Sequence, residues 1–408
     1  MRVAFVVHIT PKDYSLMEAL YKNKNLQIVF AVTLMAIMGV SSIIPALPDM
    51  IREFGISAST IGLIFTIFTL PGILFAPLAG IFADRLGRKK ILVPSLVIFG
   101  IAGTACFFTK DFHSLLLIRF IQGIGAAAIG VINLTIIGDL FSGKDRIKAM
   151  GLNAGVLSMG TAIFPAIGGI LAQISWEAPF LLSLTALPLA WVVAFKLDNP
   201  EPSASDDFKR YMKAALAGMR SKEVLSLFAI SLLTFIILYG PIVTYLPLLL
   251  NSRFEASPFM IGMVISSASF ITALAASQMG RLAHFMSQPL MISLSAFAYG
   301  AAMIMLPAAE SALWCILPVC MFGLGQGLNM PNSMSMLTAI APMEQRAVFM
   351  SVNGMLLRAG QTIAPILMGL VYSGFSLQAV FYAGAVVAAA ILVISTMFLR
   401  GFEAETAQ

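Results

Sequence analysis

The sequence predicts an all-α polytopic membrane protein, with twelve transmembrane helices in two pseudo-symmetric six-helix bundles. Three observations carry this. The 408 residues are 59% hydrophobic and 11% charged, against about 25% charged in a soluble domain, and mean hydropathy is +0.93. Apolar stretches of about 18 residues or more, each long enough to cross a bilayer as a helix, recur along nearly the whole chain. Shifting the chain by 200 residues superposes its two halves almost without gaps. The apolar stretches show no strand-like alternation, which argues against an outer-membrane barrel.

Taken in order, the spans are expected at 26–48, 59–82, 91–108, 113–139, 149–173, 178–196, 224–250, 258–279, 289–307, 312–339, 347–372 and 377–399. Residues 1–25 contain Pro11, Asp13, Glu18, Lys22 and Lys24 and no clean apolar core, so they do not read as a signal peptide. Asp13–Tyr21 could form a short interfacial helix. The N-terminal bundle covers 26–197 and the C-terminal bundle 224–400. Between them, 198–223 is the longest polar break: Asn199-Pro200-Glu201-Pro202-Ser203, then an amphipathic stretch from Asp206 to Lys222. Residues 401–408 form a polar tail.

Twelve spans place both termini on one side. If that side is the cytoplasm, 20 of the 25 Lys and Arg residues lie in cytoplasmic segments; Arg52, Lys110 and Arg253 lie outside, and Arg119 and Arg358 lie within spans. This bias sets the orientation, in a cell inner membrane with both termini cytoplasmic. It also gives the net charge of +6 a topological meaning, with no nucleic-acid partner. Cys106, Cys315 and Cys320 sit in apolar segments at spacings that fit no metal site or disulfide framework. They read as small buried hydrophobes.

The repeat is carried by residues with backbone or charge roles. Ser57, Ile61 and Gly62 meet Ser257, Ile261 and Gly262; Gly123 and Gly125 meet Gly323 and Gly325. Arg146, Met150 and Asn153 meet Arg346, Met350 and Asn353; Gly160, Pro165 and Gly169 meet Gly360, Pro365 and Gly369. Gly80 to Lys90 forms a glycine-hinged basic loop between the second and third spans, with a decayed copy in the second half. Parallel repeats of this kind place a substrate site near mid-membrane, between the halves.

Gly80 and Asp84 lie one helical turn apart. The glycine would admit close helix contact, and the acid could cap the positive N-terminus of a neighbouring helix. At these residues the chain resembles the major facilitator superfamily, and within it the twelve-helix drug:proton antiporter type. The resemblance covers about residues 26–400 and rests on the loop Gly80-Ile81-Phe82-Ala83-Asp84-Arg85-Leu86-Gly87-Arg88-Lys89-Lys90, on Leu117 to Gly125, and on Ile44-Pro45-Ala46-Leu47-Pro48. Gly151, Gly160, Pro165, Gly168 and Gly169 match its helix 5 packing pattern, which this chain departs from at Phe164, where the family usually has Gly. The resemblance implies that Gly80, Asp84, Arg85, Gly87, Arg88 and Asp139 act in gating. Asp84 would cap helix 11 near Gln345, and Arg88 would pair with Asp139.

An ionisable group inside a span is a functional candidate by default. At helical spacing, Arg119, Gln122, Ala126, Gly130 and Asn133 share one face, as do Arg358, Gln361, Thr362 and Pro365, and Gln326, Asn329 and Ser333. Three polar stripes suggest a shared aqueous cavity, with Arg119, Gln122, Asn133, Gln326, Asn329, Arg358 and Gln361 as substrate-binding candidates and Tyr239 on its wall. Pro241 and Pro331 are expected kinks. None of the 19 acids falls at mid-depth. Asp49 and Asp139 are therefore the proton-coupling candidates, and coupling to protons rests on the resemblance.

The leading reading is a secondary active transporter moving a small organic solute by alternating access, as a proton-coupled efflux antiporter for drugs or metabolites. The alternative is an organic-anion or sugar uptake or exchange carrier using Arg119 and Arg358. An enzyme is not expected: no paired intramembrane Asp, His-Glu-x-x-His or Ser–His arrangement occurs, and His8, His113 and His284 lie outside the spans. No cofactor, metal or nucleotide loop is expected. One chain supplies both halves, so the expected form is a monomer in the lipid bilayer.

Overall fold

The computed structural model describes residue 20 and residues 22–198, 219–342 and 345–399. The stretch Asp13–Tyr21, the linker 198–223 and the tail 401–408 lie almost wholly outside the described residues. Helices occupy each expected position: α1 (Lys24–Phe54), α2 (Leu63–Leu86), α3 (Arg88–Phe108), α4 (Phe112–Leu140), α5 (Gly143–Ala172), α6 (Ala178–Lys196), α7 (Lys222–Phe254), α8 (Pro258–Ser277), α9 (Gln288–Ala308), α10 (Ile316–Ile340), α11 (Arg346–Gly374) and α12 (Leu377–Phe398). No strand occurs among the described residues.

By length and apolarity, ten of these helices can cross a membrane, and α2 makes eleven if its two pieces, bent by 50° between Ala76 and Leu78, form one span. A proline stands at the bend in the sequence, the usual cause of a sharp kink. The remaining helix, α10, is 25 residues long but carries Gln326, Asn329, Asn332 and Ser333, which lower its apolarity.

Several helix starts are written locally. The side chains of Asn23, Asp111, Ser221, Ser257, Ser287 and Ser376 accept hydrogen bonds from backbone N–H groups three residues on, satisfying donors that a helix start leaves open. Between α2 and α3 the chain turns at Gly87, whose φ of 104° is foreign to residues with a side chain. In α7 the stretch Leu238–Tyr245, containing Pro241, is a π-helix. The kink expected at Pro241 is a widened turn, held by a bond from the Thr244 hydroxyl to the Tyr239 carbonyl at 2.7 Å.

Packing repeats every six helices. In the first half α2 and α3 lie on α4, α6 lies on α3, and α1 lies on α5; in the second half α8 and α9 lie on α10, α12 lies on α9, and α7 lies on α11. Glycines set the close approaches. A Cβ at Gly125 would stand 2.6 Å from the Ser95 carbonyl, and one at Gly325 would stand 3.0 Å from the Ser295 carbonyl. Gly123 abuts the Phe68 backbone and Gly323 the Ala268 backbone in the same way. Each pair is offset by 200 residues, so the sequence repeat is a repeat of contacts.

The halves meet along two seams, α5 on α8 and α11 on α2. Both seams are tight at the end of the molecule away from the chain termini. A Cβ at Gly62 would lie 2.6 Å from the Pro365 Cβ, and one at Gly369 would lie 2.7 Å from the Ser59 carbonyl. In the other seam Gly262 abuts the Pro165 carbonyl, and a Cβ at Gly169 would lie 2.6 Å from the Pro258 carbonyl. Towards the terminal end the same helices separate: a Cβ at Gly151, Gly155, Gly280 or Gly354 would meet nothing within 4 Å. The tight glycine contacts between the halves thus lie at the far end, and these four terminal-side glycines make none among the described residues.

Candidate functional site

At the terminal end, Arg88 begins α3 directly after the Gly87 turn and is buried. Its Nε donates to Asp139 Oδ2 at 3.0 Å, and its Nη1 bonds Asp84. One guanidinium thus ties the ends of α2 and α4 to the start of α3. Asp84 does not cap α11: among the described residues no side chain caps its start, and the Asp84 carboxylate bonds Arg88 instead. The physical reason is the separation of α2 from α11 at this end. Arg85 is exposed, and a Cβ at Gly80 would sit an ordinary 3.7 Å from Val131. Gly80 therefore makes no close helix contact in this pose.

Arg119 lies wholly inside the first half. Its Nη1 donates to the Gly39 carbonyl at 2.9 Å and to Gln122 Oε1 at 2.7 Å, and its guanidinium covers the Phe68 ring at 4.0 Å. Gln122 passes the chain of bonds on to Ser183 at 3.1 Å. Nε and Nη2 of Arg119 have no hydrogen-bond partner among the described residues. Asn133 donates to Thr33 at 2.5 Å, and Thr33 donates to Asn153 at 2.5 Å, joining α4, α1 and α5.

The second half has its own buried network. Tyr299 donates to Gln326 at 2.5 Å, Asn329 donates to Thr234 at 2.6 Å, and Ser333 donates to Asn329 at 2.8 Å. The stripes of α4 and α10 therefore face the interiors of their own bundles. They do not converge with the α11 stripe on a common cavity, because each finds hydrogen-bond partners nearer by.

Arg358 does reach across. A Cβ at Gly72 on α2 would stand 3.0 Å from its Cδ and 3.1 Å from its Cζ, and one at Gly130 on α4 would stand 2.7 Å from its Nη2. The side chain of a second-half helix thus fills a notch made by two first-half glycines. Its guanidinium has no hydrogen-bond or ion-pair partner among the described residues. One turn further along, Thr362 shares a hydrogen bond with Thr69 at 2.9 Å, and its carbonyl accepts from Thr66 at 2.8 Å. Tyr239 stacks on Phe235 at 6.0 Å and meets Phe65 of α2 edge-on at 6.4 Å. Gln361 is half-buried on α11 without a partner among the described residues.

Sequence reasoning placed Gly130 and Thr362 on polar faces but did not single out Gly72, Thr66, Thr69 or Phe65. The signal of Thr66, Thr69 and Gly72 is only a small or hydroxyl residue at every third position of α2, and Phe65 carries none beyond a core aromatic.

The acids lie at the ends. Asp49 pairs with the largely exposed Arg52 at the far end, and Asp139 pairs with Arg88 at the terminal end. Of the helix 5 residues, Pro165 and Gly169 lie in the seam with α8, Gly168 abuts Ser42, a Cβ at Gly160 would lie 2.9 Å from Leu34, and Gly151 faces open space. No cluster of metal-ligating side chains occurs among the described residues.

The sequence model of the Major Facilitator Superfamily matches residues 29–356 and 249–407. The chain is 35% identical over 164 residues to the Bacillibactin exporter of Bacillus subtilis (strain 168), covering 38% of this chain and 41% of that one. It is 25% identical over 257 residues to the Quinolone resistance protein NorA of Staphylococcus aureus (strain MRSA252), covering 62% and 65%. The matches thus span between about two fifths and two thirds of these relatives' lengths. Among solved structures, a POT family transporter in complex with 5-aminolevulinic acid superposes with a TM-score of 0.76 at 17% identity, over 92% of this chain and 95% of that one. A bacterial homolog to the human lysosomal transporter Spinster, inward-facing and unoccupied, superposes with a TM-score of 0.74 at 16% identity, over 94% and 98%. With its described helices packed in two repeated halves, and a family match running through both, the chain belongs to the Major Facilitator Superfamily.

Proposed function

We propose that this chain is a secondary carrier that exports small organic solutes across the plasma membrane by alternating access, with protons as the coupling ion. The observation that carries the reading is the unequal contact between the halves, sealed by two glycine–proline seams at one end and parted at the other. A carrier needs such a joint for one half to rock against the other around a central site. The clustering of Lys and Arg in the terminal-side segments supports a cytoplasmic position for both termini, so the open end would face the cytoplasm, where an exporter loads. Export is further supported by the names of the relatives, an exporter and a resistance protein. One chain supplies both halves, which suits a monomer.

A second reading, uptake or exchange of an organic anion or a sugar, is favoured by Arg358 alone. Arg119 does not support it, being enclosed within one bundle. Proteoliposomes with an acid lumen separate the two readings. Saturable, solute-triggered alkalinisation of the lumen is expected of the exporter. Saturable exchange without proton movement would leave the second reading, and flux that never saturates would remove both.

A further inference from the structure

The two arginines within the spans, the buried Arg119 and the half-buried Arg358, are treated differently by their surroundings. Arg119 is met by a carbonyl, an amide oxygen and a ring face. Arg358 has none of these among the described residues, although a guanidinium within a span is costly. Its surroundings hold it in place without balancing its charge. Gly72 and Gly130 leave just enough room for it, and the described Asp and Glu residues all lie towards the ends of the helices. A guanidinium presents a flat fork that fits a carboxylate through two parallel bonds.

Beside it runs a row of three rings, Phe65, Tyr239 and Phe235, drawn from both halves. Tyr239 lies within electrostatic range of Arg358 and projects from the π-helical stretch of α7, a rare geometry frequent at functional sites. Phe235 stands against α11 at Gly360, where a Cβ would lie 2.8 Å from the ring-bearing Cβ. Neither the Tyr239 hydroxyl nor the Gln361 amide has a partner among the described residues. Cation, ring faces and unused polar groups therefore lie together at the junction of the two halves.

We infer that the cargo is an organic anion bearing an aromatic ring, its carboxylate held by Arg358 and its ring laid against the half-buried Tyr239 and Phe235, with the buried Phe65 backing Tyr239 from the other half and Gly72 and Gly130 as positioning residues for the guanidinium. The inference rests on the carrier reading and is independent of the direction of transport. Stacked and edge-on ring contacts add attraction beyond area burial. The absence of a nearby carboxylate disfavours cations at the same place.

The test uses the full chain in lipid nanodiscs and three isosteric probes: 1-naphthoate, neutral 1-naphthamide and cationic 1-naphthylmethylamine, with binding followed by calorimetry. Naphthoate is expected to bind at least about tenfold more tightly than either of the others. Arg358→Gln should bring naphthoate down to the level of naphthamide, Arg358→Lys should lose part of the preference, and Gly72→Ala should lower naphthoate affinity while leaving naphthamide unchanged. Naphthamide binding by each variant shows that it is folded. Equal binding of the three probes by the unaltered protein, or a preference that survives Arg358→Gln, overturns the inference. Counter-exchange of naphthoate in proteoliposomes then separates the two levels. Naphthoate binding without exchange keeps the site and removes the carrier reading. Saturable exchange of other solutes without naphthoate binding keeps the carrier and removes the aromatic anion.

Discussion

Gly62, which caps the start of α2, packs directly against Pro365 on α11, and its equivalent Gly262 on α8 packs against Pro165 on α5. The two contacts are one contact written twice, 200 residues apart, and they hold the halves together at the far end. Adding a methyl group at Gly62 puts it 2.6 Å from the Pro365 Cβ. Overpacking of this kind costs about 1–3 kcal/mol, enough to shift the balance between open and closed far ends by about tenfold or more. Gly62→Ala and Gly262→Ala are each expected to slow solute flux and to expose a cysteine placed at Ser59 to a membrane-impermeant thiol reagent. Unchanged labelling of that cysteine would contradict a sealing role for the seam.

The ion-pair node at Arg88 should be asymmetric. Asp84 is 59% exposed and Asp139 24% exposed, while the shared arginine is 7% exposed. Exposed pairs are worth about 0–1 kcal/mol, and the more enclosed partner should contribute more. Asp139→Asn is therefore expected to lower the melting temperature in detergent more than Asp84→Asn, with Arg88→Ala the most damaging of the three.

Arg119 and Arg358 should separate cleanly in thermal unfolding. Removing the Arg119 side chain strands the Gln122 oxygen and the Gly39 carbonyl in the bundle core, at about 1–3 kcal/mol for each buried group left unmade. Arg119→Ala is expected to lower the melting temperature by several degrees. Arg358→Ala removes a charge with no hydrogen-bond partner among the described residues and should leave it nearly unchanged or raise it. A fall in both variants of equal size would show that Arg358 is as structural as Arg119.

Asp49 and Asp139 are equally exposed, so proton movement should depend on the acid whose arginine partner is enclosed. Asp49 faces an arginine that is 68% exposed, so its charge is screened by water in this pose. In proteoliposomes, Asp49→Asn is expected to retain solute-driven lumenal alkalinisation and Asp139→Asn to reduce it by about tenfold. The reverse pattern would move the coupling role to the far end.

The positions of the helices were readable from the sequence because hydropathy and length are local properties. The polar residues of α10 keep it out of the helices that are long and apolar enough to cross a membrane, and the 200-residue register locates it independently. The repeat also named the right glycines, yet spacing does not say which surface each one touches. Gly125 and Gly325 work within a half, whereas Gly62 and Gly262 work between halves. The same gap explains the polar stripes. A 3.6-residue period identifies a face but not what that face looks at, so Arg119 and Arg358 read alike in sequence and differ in space. Asp84 was read through a contact to α11 that a molecule parted at its terminal end does not make. Gly72 carried no chemical signal of its own, since its role is set by a side chain 286 residues away.

The two seams have a mechanical consequence. They are two separate contacts that pin the halves at the same end, so together they define a line, and rigid halves joined along a line keep one degree of freedom. Helix α2 has 24 residues and, with its 50° bend, forms a lever arm of about 31 Å at 1.5 Å per residue. A swing of only about 19° around that line moves the terminal tips by about 10 Å, the width of a helix. Small rotations at two glycine–proline pins are thereby magnified into a doorway large enough for an organic solute.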